Sequence, residues 1–322
     1  MKRLYVNAAV VGAGGLGLVA WATVSGPGTP PGALIAAAVA MPIAVALAVW
    51  GRSGVRTFPT RAFWGGATVG PVLAIASHAL VAAFVAAFVV GFADSGRALL
   101  ESLRADPRLV HALGSPWIIV LLVEVVAVAP LTEEVAKALG ARLAGPGSAR
   151  EAFLAGAAAG AGFAAVENVL YAAGAAAFGG PLPAVVAMRA LGAAVHPLAT
   201  GLVVLGWWEW RQHRDERRLA ARFLAGAGVH ALWNGSFVAA AVVEEAFGVP
   251  AALGPVALAF AGALGVVLAG TLWSVAGSVE AGRDPFARTT AARGLAGWIV
   301  LSSSLLVPIV VLAVGFPGFY RG

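Results

Sequence analysis

Residues 115–143 read SPWIIVLLVEVVAVAPLTEEVAKALGARL. At about 1.5 Å rise per residue this stretch is long enough to cross roughly 30 Å of hydrocarbon as a helix. Yet it carries Glu124, Glu133, Glu134 and Lys137 inside an otherwise apolar run, with Pro130 just before the acidic pair. A soluble core helix would rarely be so uniformly apolar on its remaining faces, and a simple anchor would not carry four ionisable groups. The stretch therefore reads as a membrane span whose charged side chains face other protein. Glu133 and Lys137 stand at i and i+4, and Glu134 and Lys137 at i and i+3, so the lysine lies between both carboxylates on the helix surface. Pro130 removes a backbone donor and predicts a kink immediately before the pair. Glu124, nine positions from Glu133, falls on the far side of a regular helix.

The rest of the chain supports a membrane setting. Of 322 residues, 60% are apolar and 11% charged, and the mean hydropathy is +0.89. A soluble protein of that length has no means of hiding so much apolar surface, whereas a bilayer accepts it. Nine apolar stretches of spanning length can be read: 4–24, 33–50, 66–92, 115–143, 151–177, 182–208, 220–246, 251–275 and 294–315. The expected fold is an all-α, polytopic transmembrane helix bundle of about nine spans. With the N-terminus in the cytoplasm, fifteen Lys and Arg fall in cytoplasmic segments and four in external ones. This is the partition expected of a correctly threaded chain. The segment from Asp94 to His111 then reads as an external loop, and the run Arg211–Arg218 as a cytoplasmic hinge. The pI of about 10.7 follows from these cytoplasmic arginines and anionic headgroups, so no nucleic-acid partner is expected. Nineteen arginines against two lysines, with abundant alanine and glycine, point to a GC-rich bacterial genome. The expected location is the bacterial plasma membrane.

Ionisable residues inside spans are costly and demand a partner or a purpose. Glu124, Glu133, Glu134, Lys137, Glu167, Arg189, His196 and His230 all lie in spans four to seven. His78, in the third span beside Ser77, reads as a lone satisfied histidine. Arg189 and His196 are two turns apart on one face, and His230 and Asn234 stand at i and i+4. Counted from the cytoplasmic ends, His230, Glu134, His196 and Glu167 lie at depths of roughly 12 to 22 Å, a band narrow enough for convergence. The four aspartates, Asp94, Asp106, Asp215 and Asp284, all sit in loops, and there is no cysteine. No His-Glu-x-x-His helix and no Gly-x-Ser-Gly nucleophile occurs. Aspartyl, thiol, serine and zincin chemistries are thereby excluded. Glutamate and histidine remain, as proton acceptor and oxyanion donors or as metal ligands. A His–Asn pair is also the kind of polar group that holds helices together in a membrane, and His196 beside Pro197 is placed to cap loosened backbone.

Glu133-Glu134-x-x-Lys137, Phe163-x-x-x-Glu167-Asn168, a later span bearing His196, and His230-x-x-x-Asn234 together resemble the PrsW family. That family is related to the membrane-embedded CAAX-processing and bacteriocin-immunity proteins. The resemblance covers about residues 115–246, a four-helix core between three N-terminal spans with their external loop (1–114) and two C-terminal spans (247–322). It implies an intramembrane endopeptidase that cleaves a membrane-anchored protein such as an anti-sigma factor. Glu167 stands where the CAAX-processing relatives carry histidine, so their glutamate–histidine water activator does not carry over intact. Glu133 or Glu134 is expected to be the general base and His196 its helper. His230 and Asn234 would polarise the scissile carbonyl. Lys137 and Arg189 would balance the buried carboxylates, and Asn168 would hold Glu167 or a backbone carbonyl. Glu167 is either a second acid or a metal ligand. A divalent metal such as zinc, held by Glu134, Glu167, His196 and His230, is the alternative to a metal-free site. A catalytically silent scaffold and a proton- or ion-coupled transporter are the competing functions.

Overall fold

The computed structural model describes residues 31–91, 123–177, 182–247 and 253–280. Among them there is no strand. The expected spans 4–24 and 294–315 and the loop from Asp94 to His111 lie outside these residues. The helices are α1 (Pro31–Ser53), α2 (Thr60–Gly91), α3 (Ala129–Ala141), α4 (Ala149–Ala177), α5 (Leu182–Leu191), α6 (Val195–His213), α7 (Glu216–Phe247) and α8 (Leu253–Glu280). Among the described residues, five stretches are long and apolar enough to cross a membrane: Gly32–Ser53, Thr60–Val81, Ala149–Ala177, Val185–His213 and Gly262–Val279. Large apolar side chains such as Trp64, Val72, Ile75 and Leu80 on α2 point away from the protein, as a lipid-facing surface does.

Local sequence explains where the helices begin and end. Ser148 Oγ accepts the N–H of Glu151 at 3.2 Å while the Glu151 carboxylate accepts that of Gly147 at 2.8 Å. This reciprocal pair satisfies orphan donors at the start of α4. α6 closes on Arg214 in the left-handed region (φ 54°), whose N–H reaches Trp210 O at 2.7 Å. Asp215 Oδ1 then accepts the Arg218 N–H at 3.1 Å and opens α7. α6 and α7 are locked near this turn by a buried two-point pair, Arg222 Nε to Glu209 Oε2 at 2.5 Å and Nη2 to Oε1 at 2.7 Å.

Two spans depart from regular helix. The sixth expected span, 182–208, is broken: α5 ends at Leu191, residues 192–194 turn, and α6 restarts at Val195. Pro197 sits in the first turn of α6, where its missing N–H costs nothing. The fourth span loosens into a π-turn at Glu124–Val128 directly ahead of α3. Pro130 cannot donate to the carbonyl of Val126 and its ring crowds that carbonyl, so the helix widens there. The kink expected at Pro130 takes this form.

α4 runs through the middle of the bundle and is lined with small residues. A Cβ on Gly156 would come within 2.8 Å of Gly201 Cα, and one on Gly160 within 2.9 Å of Pro197 N and closer still to the His196 carbonyl. On another face Gly162 abuts the backbone of Phe63 and Ala67 in α2. α4 therefore packs backbone to backbone against α2 and α6. In a membrane, where the hydrophobic effect does not drive helices together, such contact supplies dispersion energy. It also sets α6 at the distance that brings His196 to α3 and α4.

Candidate active site

The Lys137 ammonium, fully buried, is the centre of the site. Its Nζ lies 2.8 Å from Glu134 Oε1, 2.9 Å from His196 Nδ1, 3.1 Å from Glu133 Oε2 and 3.5 Å from His230 Nδ1. The Phe163 ring sits under it, 4.2 Å from Nζ to the centroid. Phe163, the first residue of the Phe-x-x-x-Glu-Asn motif, thus adds a cation–π contact. Residues from α3, α4, α6 and α7 converge on one point, as the clustering of ionisable groups in spans four to seven implied.

The two glutamates of the pair differ in what they touch. Glu134 is fully engaged: Oε1 takes Lys137 at 2.8 Å and His230 Nδ1 at 3.1 Å, and Oε2 takes the Thr200 hydroxyl at 2.7 Å. Glu133 is not. Its Oε2 is buried and has no hydrogen-bond partner among the described residues, although Lys137 is at ion-pair distance and His230 Nε2 stands 3.8 Å away. Lys137 approaches off the hydrogen-bonding direction, so Oε2 gains its charge and keeps a free lone pair.

The remaining contacts assign ring protons. His196 Nδ1 faces a lysine that can only donate, so Nε2 carries the hydrogen and points at Glu167 Oε2, 2.9 Å away. Glu167 Oε2 also pairs with Arg189 Nη2. Arg189 Nε donates to Asn168 Oδ1 at 2.5 Å, and Asn168 Nδ2 donates to Ala38 O on α1 at 2.7 Å. Asn234 Nδ2 donates to Val125 O, a carbonyl of the π-turn, at 3.1 Å and lies 3.4 Å from His230 Nε2. The His196 and His230 rings meet edge to face at 4.7 Å.

Two residues that the sequence reading set aside belong to this network. His78 is not a lone histidine: Nδ1 is 2.6 Å from Glu124 Oε1 and Nε2 is 3.4 Å from Glu133 Oε1. Nor is Glu124 on the far side of the helix from Glu133. Nine regular positions would separate the two by about 180°, but a π-turn absorbs one extra residue and brings the angle to roughly 80°. Only the proline hinted at this.

Glu133, His196 and His230 offer ligand atoms that all lie within 4.8 Å of one another. Two imidazoles and a carboxylate suit zinc by type. Lys137 Nζ also stands beside these groups, 2.9 Å from His196 Nδ1, 3.1 Å from Glu133 Oε2 and 3.5 Å from His230 Nδ1. The trio could hold a divalent ion, with Lys137 as the neighbouring cation that competes for the same acceptors. The trio also differs from the expected set, with Glu133 taking part where Glu134 and Glu167 were expected.

An all-helical bundle of membrane-spanning length, with carboxylates, imidazoles and an ammonium gathered in its interior, defines a polytopic membrane protein with a buried reactive site. The chain belongs to the PrsW family of intramembrane metalloproteases, whose family model matches residues 30–261. It is thus a PrsW-like intramembrane protease. The match is broader than the 115–246 stretch that carries the motifs and takes in α1 and α2, which pack against α4 and supply Ala38 O and His78. No curated protein and no solved structure matches the chain.

Proposed function

We propose that the protein is a glutamic-type intramembrane endopeptidase in which Glu133 is the general base. The observation that carries this reading is the buried, hydrogen-bond-free Oε2 of Glu133. It lies 3.1 Å from the Lys137 ammonium, while its neighbour Glu134 has both oxygens engaged. A base needs a lone pair directed at water, and Glu133 alone of the pair has one. Lys137 stabilises the carboxylate and supplies the positive potential that a tetrahedral oxyanion needs in a low-dielectric site. Glu134 and Thr200 hold the ammonium side of the site in register. His196, whose Nε2–H is held by Glu167, is the helper that takes or returns a proton at Nδ1, the nitrogen facing Lys137. His230, steadied by Asn234, borders Glu133 Oε2 at 3.8 Å and would face a scissile carbonyl placed there. Arg189, Asn168 and Glu167 form the wall that ties the site to α1. Three carboxylates (Glu133, Glu134 and Glu167) face two fixed cations, Lys137 and Arg189, and in this metal-free reading a proton shared within the cluster supplies the remaining positive charge.

The substrate class is a membrane-anchored protein with a single span, an anti-sigma factor by the family resemblance. The location is a bacterial plasma membrane, with nine spans, a cytoplasmic N-terminus and residues 115–246 as the catalytic core. Fifteen cytoplasmic against four external positive residues support this threading. The test is cleavage of a single-span reporter protein by the purified full chain in liposomes, with and without a chelator, alongside metal analysis. We expect cleavage at the same rate in both, from protein holding less than one divalent ion per chain. Loss of cleavage with the chelator and recovery with zinc would replace this reading by the metal-dependent one.

A further inference from the structure

We propose that His78 and Glu124 form a positioning arm that fixes the carboxylate of Glu133, an assignment that deepens the reading of Glu133 as base and rests on it. The arm runs from α3 to α2 and on to the π-turn. Glu133 Oε1 is 3.4 Å from His78 Nε2, and His78 Nδ1 is 2.6 Å from Glu124 Oε1. The two oxygens of Glu133 thus have different jobs. Oε1 is held from the α2 side by the imidazole, and Oε2 is left facing Lys137 and His230. Without a restraint on Oε1, the carboxylate could rotate about its last bond and turn its free lone pair away from the reaction space. An imidazole between two carboxylates donates from each nitrogen, and a second acid behind a histidine is the usual way of fixing ring orientation.

The backbone irregularity acquires a purpose in this scheme. A regular helix over 124–133 would carry Glu124 to the opposite side and leave His78 without its second carboxylate. The π-turn brings Glu124 back, and Asn234 accepts part of the cost by binding the Val125 carbonyl. π-turns inside helices are often found at functional sites for this reason. His78 and Glu124 are partly exposed, 32% and 21% in their side chains, so the arm forms the border of the buried cluster rather than its floor.

The experiment uses the full chain in liposomes with the single-span reporter and compares His78→Leu, His78→Gln, Glu124→Gln and the neighbouring Ser77→Ala. Loss of an outer-shell orienting group lowers activity by about 10- to 100-fold. His78→Leu should show this loss in kcat, with KM within about twofold of wild type. His78→Gln, which keeps an amide donor, should recover most of it, and Glu124→Gln should fall between the two. Ser77→Ala should match wild type. A second readout does not depend on cleavage: modification of Glu133 by a hydrophobic carbodiimide, followed by mass spectrometry. Release of Oε1 should raise the labelling rate several-fold in His78→Leu and leave it near wild type in His78→Gln. Wild-type kcat in His78→Leu, or equal impairment and equal labelling in the Leu and Gln variants, would overturn the arm. If no variant and not even wild type cleaves the reporter, the protease reading fails while the labelling still decides the arm.

Discussion

At the scale of single residues, the site is an ammonium wrapped in acceptors, and this part was largely legible in advance. The i+3 and i+4 spacing of Glu134, Glu133 and Lys137 placed the lysine between the acids, and it stands 2.8 and 3.1 Å from them. Spacing had no means of showing that the two acids are unequal. That difference comes from Thr200 and His230 on other helices, which saturate Glu134 and leave Glu133 Oε2 free. Removing one partner of a buried ion pair strands the other charge, at a cost of about 3–5 kcal/mol. Glu134→Gln should therefore lower thermal stability in detergent by about that amount, because it weakens the fully buried contact to Lys137 and the Thr200 bond. Glu133→Gln should be milder, since it gives up the ion pair to Lys137 but no hydrogen bond at Oε2. A thermal melt of the two variants separates these outcomes, and equal destabilisation would contradict the division of labour between the acids.

At the scale of elements, placement depends on glycines and on two breaks in helix regularity. Helix existence follows from apolar runs, but the break at 192–194 and the π-turn do not. Both arise where a proline meets tertiary contacts that local periodicity does not encode. Regular geometry at about 100° per residue sends Glu124 to the far side of its helix, and His78, read as a lone histidine, is thereby left without the partner that the π-turn brings to it. The close approach of α4 to α6 makes a direct prediction. In Gly160→Val the added Cβ would meet the His196 carbonyl and Pro197 N, so α6 must move outward and carry His196 away from Lys137. Overpacking of this kind costs about 1–3 kcal/mol. Cleavage should fall by at least about tenfold while the protein still accumulates in the membrane, since misplacing a site group by about 1 Å costs on the order of 100-fold. Wild-type cleavage by Gly160→Val, measured at matched expression, would show that the spacing of α4 and α6 is not needed.

At the scale of the whole molecule, composition and hydropathy indicated a helical membrane protein, and the ordered motifs pointed to the family that the match over residues 30–261 shows. The motifs did not reveal that α1 and α2 belong to the same unit, because their contributions, a backbone carbonyl and one histidine, leave no spacing pattern. The proposed orientation rests on the loop charges. A reporter fused after Arg218 should read cytoplasmic and one fused near Gly180 external; the same side for both would undo the nine-span threading. The proposed mechanism turns on Glu133, and its most direct test is the single-turnover cleavage rate of Glu133→Gln in liposomes against wild type. Removal of a general base lowers the chemical step by about 100- to 10,000-fold, and this loss is expected with the protein folded and the chelator without effect on wild type. A Glu133→Gln chain that cleaves at the wild-type rate would contradict the account.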